Sequence, residues 1–375
     1  MKKKIYFENL DGLRFFCFLA VFFSHSFHTE NELIKSSSIY QFITQELFKN
    51  GNLGVNFFFV LSGFLITYLL IAEKELNGQI NLKKFWIRRA LRIWPLFYFC
   101  VSFGFLAFPQ LKLLFGQVPN ETATPIYYIT FLNNFDLIKN GLPDASILGV
   151  LWSIAIEEQF YFIWPIILYI FPVKNYWIPF ASIIVLSLIS RALNDNSLYN
   201  EIHTFSCIGD MVIGAFGAWF ISQKKSLKIT IENLSSNYII LIYLSFIFIF
   251  LFRDEFFLNG GYALRIFERA IISVVILLII LEQNYCKNSL FKFSNLKYIS
   301  KLGVISYGLY CLHFIAILII LSLTKKLGLN TELWHIVILE TSLALLLTIL
   351  ISKLSYKFYE YPFLKIKDKF SYFTK

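Results

Sequence analysis

The chain has 375 residues, 57% of them hydrophobic and 15% charged, where ordinary soluble domains run near half apolar and a quarter charged. The excess gathers in long uncharged runs, which excludes a soluble globular enzyme. The 34 basic and 24 acidic residues leave a net charge of +10; this suits the basic cytoplasmic loops of a membrane protein, and no basic face with interleaved aromatics points to nucleic acid.

In chain order, Lys2, Lys3 and Lys4 look like the start of a secretory leader, but Glu8 and Asp11 follow. After the apolar run comes Ser24-His-Ser-Phe-His28 in place of a small-x-small cleavage site, so residues 15–29 are predicted to be a permanent first span. Uncharged runs over 50–72, 93–111, 233–252 and 302–324 match the roughly 20 residues that cross a hydrocarbon core. Residues 145–173, 202–223 and 333–352 do so if Glu157 with Glu158, Asp210 and Glu340 are allowed inside. Residues 122–135 are short and run into Asn133-Asn134, so an interfacial or re-entrant placement is expected. Polar connections are expected over 73–92, 112–144 and 282–301. Basic clusters at Lys2 to Lys4, Lys74 to Arg92, Lys224 to Lys228, Lys287 to Lys301 and from Lys353 onward share one side if the crossings between them are even in number. The prediction is an all-α, polytopic transmembrane bundle of about ten spans with both termini cytoplasmic. Residues 1–375 read as one membrane domain, and Lys325 and Lys326 fall outside as an exception. The five cysteines are odd in number and lack CxxC spacing, so they read as apolar fillers, with no metal site expected.

Ionisable residues inside spans are costly and mark candidate sites. Arg14 and His25 are eleven residues apart, which on a helix is about 20° from alignment and about 16 Å of rise. His25 can take and return a proton near neutral pH, or it can be a hydrogen-bonded interface histidine; His28, one turn on, can share either role. Arg88, Arg89 and Arg92 cluster at the inner mouth of a span, either as forks for a phosphorylated ligand or as ordinary positive-inside anchors. Ser153 and Glu157 face the same way, and with Glu158 they put two adjacent carboxylates in one span. At least one of these must meet a cation, a donor or a water-filled cavity. Ser62-Gly63 sits mid-span, where small residues favour close helix packing. Tyr307 and His313 read as a proton relay or a packed pair.

Together these segments resemble the membrane-bound acyltransferase-3 family, which includes O-acyltransferases of bacterial surface polysaccharides. The resemblance rests on Leu10-Asp-Gly-Leu-Arg14 with His25, Phe57-Phe-Phe-Val-Leu-Ser-Gly-Phe64, and Arg88-Arg89 with Arg92. It continues in Trp152-Ser153 with Glu157-Glu-Gln-Phe-Tyr161, Ser306-Tyr307 with His313, and Glu360-Tyr-Pro-Phe363. It implies an acyl-CoA donor, by preference acetyl-CoA, on the cytoplasmic side and a carbohydrate or lipid-linked glycan acceptor on the other, in the cell membrane. It also implies His25 as the catalytic histidine with Glu157 beside it, donor binding by Arg14, Arg88, Arg89 and Arg92, and support from Ser62, Ser153, Glu158, Tyr307 and His313. Asn56 stands where many relatives carry an acid, so no carboxylate there serves this chain. Some relatives carry a fused extracytoplasmic esterase-like domain, and here a separate partner of that kind is expected. The competing reading is a glycolipid or anion transporter, whose inverted repeats the sequence does not display.

Overall fold

The computed structural model describes residues 3–374, so Lys2 of the N-terminal basic cluster lies outside the described residues. The chain is overwhelmingly helical. The β structure among the described residues is a two-residue parallel pairing of β1 (Lys3–Lys4) with β2 (Phe373–Thr374). The long helices follow the apolar runs: α1 (Glu8–Ser24), α2 (Leu53–Asn77), α3 (Leu82–Ser102) and α4 (Trp152–Ile170). Then come α5 (Trp177–Ala192), α6 (Thr204–Gln223), α7 (Ser236–Arg253) and α8 (Tyr262–Tyr285). The last are α9 (Ser306–Lys326), α10 (Thr341–Leu354) and α11 (Tyr361–Lys369), the final two joined by a π-turn over Ser355–Glu360. Among the described residues seven helical stretches are long and apolar enough to cross a membrane, and an eighth if the bent pair Lys225–Glu232 with Ser236–Leu258 is one span. The expected count of about ten also relies on α1, with 17 residues, and on α8, which carries Arg265, Glu268 and Arg269 in its first turns. Residues 125–140 form two short helices, Pro125–Ile129 and Asn133–Asn140, broken near Phe131 at φ 57°; neither is long enough to cross.

Two predicted boundaries move. The span expected over 15–29 ends as a helix at Ser24. The His25 N–H still bonds to the Val21 and Phe22 carbonyls, but Phe27 takes φ 66° and the chain leaves the axis. His28 is therefore exposed and does not follow His25 on a shared helix face. The polar connection expected over 73–92 is mostly helix. Gly78, at φ 75°, closes α2 in the left-handed conformation that glycine adopts without penalty. Asn81 then caps α3 by accepting from the Lys84 N–H, so all three arginines stand on α3.

Helix packing is fixed by close backbone approach. A Cβ added at Gly63 would sit 1.8 Å from the Met211 carbonyl oxygen, and one at Gly214 would sit 2.0 Å from that of Val60. Glycines facing each other thus let α2 and α6 touch main chain to main chain. Gly54 brings α2 equally close to Cys17 of α1. Outward residues of α5 and α7, among them Val185, Ile189, Leu241 and Leu244, are exposed and apolar, the surface a helix presents to lipid.

Near the N-terminal ends of α2, α6 and α8 a layer of buried charge ties the bundle together. Glu268 accepts from Arg191 and Arg253, each at 2.6 Å; Arg253 also reaches Glu201 at 3.0 Å, and Arg269 donates to Asp210 at 2.6 Å. Asn52, just before α2, and Asn56 of α2 join by donating to Glu201 and Asp210. Glu268→Gln leaves the buried Arg191 without its ion pair and takes one of two from Arg253, and is expected to destabilise the protein by about 3–5 kcal/mol. Glu232→Gln, which touches surface lysines, should cost about 1 kcal/mol or less. Thermal unfolding of the detergent-purified protein separates the two, and equal melting temperatures would show that the layer does not hold the fold.

Candidate active site

The three arginines of α3 have three different fates. Arg88 is spent on structure, pairing with Glu73 of α2 at 2.9 Å and donating to the Phe370 carbonyl at 3.0 Å. Arg89 lies over the Phe85 and Tyr161 rings, 5.7 Å from each centroid, and its buried Nε has no hydrogen-bond partner. Neither Arg89 nor Arg92 forms an ion pair among the described residues. Both line a cavity of about 530 Å³, within the range of about 300–1,000 Å³ usual for small-molecule sites.

The cavity opens between residues 5–7, the end of α2 and α11, where Glu73, Arg88, Lys367 and Tyr372 stand. Burial, with the Asp11 carboxylate behind it, pushes the Tyr6 phenol at this mouth above its ordinary range. Further in, Arg14, Arg92, Tyr307 and Glu360 line the wall, and the floor is made by Val55, Phe59, Ser153 and Tyr310. From Glu73 to Val55 the cavity follows α2 for about 27 Å of helix rise. Ser62 and Gly63 divide the roles expected of the pair: Gly63 packs against α6, while Ser62 faces the cavity and donates to Glu157 Oε1 at 2.6 Å. Arg14 is neutralised by Asp11 one turn before it. Charge on the wall is therefore mixed: Glu157 and Glu360 are hydrogen-bonded to Ser62 and Ser355, and neither comes within ion-pair distance of Arg89 or Arg92.

His25 does not line this cavity. It lies beyond the floor, where its Nδ1 is 3.0 Å from His313 Nε2 and the rings stack at 5.2 Å. His313 Nδ1 in turn is 2.6 Å from the Tyr310 carbonyl oxygen. A carbonyl only accepts, so in the neutral pair His313 carries its proton on Nδ1 and offers the Nε2 lone pair. His25 then donates from Nδ1, which leaves the lone pair of its own Nε2 free. Tyr310 is the partition: its hydroxyl hydrogen-bonds with Ser153 Oγ at 2.8 Å and donates to the Val150 carbonyl at 3.1 Å. Its ring lies 6.0 Å from that of His313.

The structure thus gathers Arg14, Arg88, Arg89, Arg92, Ser62, Ser153, Glu157 and Tyr307 around one space and sets His25 with His313 behind it. The expected pairing of Tyr307 with His313 does not form. Six residues on a helix are about 120° out of phase, and Tyr307 donates instead to the Ile93 carbonyl at 2.7 Å. Glu158 faces away from the cavity, with one oxygen accepting from Trp94 at 2.7 Å and the other unpartnered. Sequence reasoning missed Tyr310 and Lys367. Tyr310 carries a signal only in hindsight, three residues before His313, and Lys367 hides in a basic run.

An acyltransferase-domain family model matches residues 7–354. O-acetyltransferase OatA of Staphylococcus aureus strain NCTC 8325 is 28% identical over 387 residues, covering 96% of this chain and 57% of that protein. The protein SACOL0978 of Staphylococcus aureus strain COL is 29% identical over 390 residues, covering 97% and 58%. The chain therefore spans less than three fifths of the length of these relatives. No solved structure matches it. The match over nearly the whole helical bundle agrees with the motifs that line the cavity, and the chain belongs to the acyltransferase-3 family of membrane proteins.

Proposed function

We propose that this chain moves an acyl group, acetyl by preference, from acyl-CoA at the cytoplasmic mouth to a hydroxyl of a cell-surface carbohydrate or lipid-linked glycan. One observation carries the reading. A single cavity runs from two ion-pair-free arginines, past Ser62 and Glu157, to a floor one helical turn from the His313–His25 pair. The name of the Staphylococcus aureus relative, an O-acetyltransferase, supports acetyl as the group and oxygen as its destination.

The residues fit a phosphorylated thioester. Arg89 has an unpartnered buried Nε, Arg92 forms no ion pair among the described residues, and arginine forks suit phosphate oxygens. Bound there, acyl-CoA supplies an electrophilic acyl carbon. Phe58, Phe59 and Leu65 give the inner channel apolar walls that keep water from the thioester. Tyr310, turning from Ser153, joins the channel to the imidazole pair. The Nε2 lone pair of His25 takes the proton of the acceptor hydroxyl as that oxygen bonds to the acyl carbon and the carbon–sulfur bond breaks. The proton then passes to the leaving thiolate. His313 holds the Nδ1–H of His25 and so fixes both its tautomer and its ring orientation, the part a second group plays behind a general base.

His25→Ala, at normal protein levels in cells, is expected to reduce base-releasable acyl groups on envelope glycans by about a hundredfold or more. Unchanged acylation would remove His25 from the mechanism. His313→Ala should lower turnover by about ten- to a hundredfold with little change in donor KM. His313→Gln, whose amide oxygen can accept the same His25 proton, should recover part of the loss. Equal activity of the Ala and Gln variants would reduce His313 to a packing residue.

A further inference from the structure

The basic run from Lys353 onward serves in the sequence only to orient the protein in the membrane. In three dimensions one of its members does something else. α11 packs on α3, the arginine helix, and places Lys367 on the same cavity as Arg89 and Arg92. The Lys367 side chain is 20% exposed, and its ion pair is with the adjacent Asp368 at 3.3 Å, a carboxylate that is itself 71% exposed. Such a solvated pair is worth little, so the ammonium is available to a ligand entering the cavity.

The segment that follows is anchored. Arg88 donates to the Phe370 carbonyl, and Lys84 donates to the Tyr372 hydroxyl at 3.0 Å with its ammonium 4.5 Å from the ring centroid. β2 pairs with β1, which leads directly into Ile5, Tyr6 and Phe7 at the mouth. Residues 367–373 therefore form a wall pinned to α3 and to the first residues of the described chain. Two arginines from one helix and a lysine from another face one space, and among the described residues none has a buried carboxylate within ion-pair distance. Like charges held together repel in a low-dielectric setting, and a ligand with several phosphate oxygens relieves that repulsion.

We propose that Lys367 completes a phosphate clamp with Arg89 and Arg92, and that residues 367–373 are a wall of the donor site. This rests on the acyl-CoA reading above and adds to it the element that recognises the nucleotide end of the donor. The arginines engage phosphate as planar forks and Lys367 as a point charge.

Calorimetric titration of the detergent-purified full chain with coenzyme A tests the clamp, with the melting temperature as a check on the fold. Lys367→Ala is expected to weaken coenzyme A binding by about tenfold without shifting the melting temperature, and Lys367→Arg to keep most of the affinity. Lys353→Ala, in the same basic run but off the cavity, should bind as the parent does. Coenzyme A binding that is equal in the parent and Lys367→Ala overturns the clamp and leaves the donor reading standing. A parent chain that binds no coenzyme A overturns both. Affinity lost only together with thermal stability, or lost equally in Lys367→Arg, also overturns the clamp, because it marks Lys367 as a structural residue.

Discussion

A charge inside a bilayer needs a partner or water, and this constraint sorts the ionisable residues of the chain. Where α6, α7 and α8 meet near the start of α2, the solution is a set of ion pairs. Three arginines and three carboxylates, joined by Asn52 and Asn56, close on one another. At the other end of α2 the solution differs: Arg88 is paired with Glu73, but Arg89 and Arg92 are left to a cavity. The contrast gives the arginine cluster its meaning. The fold has the means to neutralise buried guanidinium groups and does not use them on these two.

The same constraint separates the chemistry into two compartments. The two arginines without an ion pair among the described residues and a long channel lie on one side of Tyr310, and the imidazole pair lies on the other. Tyr310 links the two, since its hydroxyl meets Ser153 on the cavity floor while its carbonyl sets the tautomer of His313. A base sealed from the thioester until both substrates are present would limit wasteful hydrolysis, a recognised benefit of closing a site to water. Side-chain rotation of one tyrosine is a small motion for that purpose, and it leaves the backbone contact of α2 with α6 at Gly63 and Gly214 untouched.

Much of this architecture was legible in the residues, for physical reasons. Long apolar runs announce helices because the bilayer allows little else, and the i,i+4 spacing of Ser153 and Glu157 correctly put both on one wall. Helix arithmetic from Arg14 to His25 reaches only part of the way. It gives alignment and rise along a helix but not where a cavity ends: α1 stops at Ser24, and Arg14 lines the cavity while His25 does not. The partnership of His25 with His313, 288 positions apart, is a tertiary contact that no local pattern encodes. Lys367 was obscured for a different reason: a lysine that orients a membrane protein and one that lines a ligand site look alike until the chain is folded.

The central claim is that the cavity between α2, α3, α4 and α11 admits the donor from the cytoplasmic side. Its most direct test places a thiol at the cavity wall, as Ser62→Cys, and labels it with a charged, membrane-impermeant maleimide in vesicles of either orientation, with the parent chain as background. The account predicts labelling when the cytoplasmic face is outermost and protection by acetyl-CoA. Labelling only from the opposite face, or labelling that acetyl-CoA leaves unchanged, would contradict it.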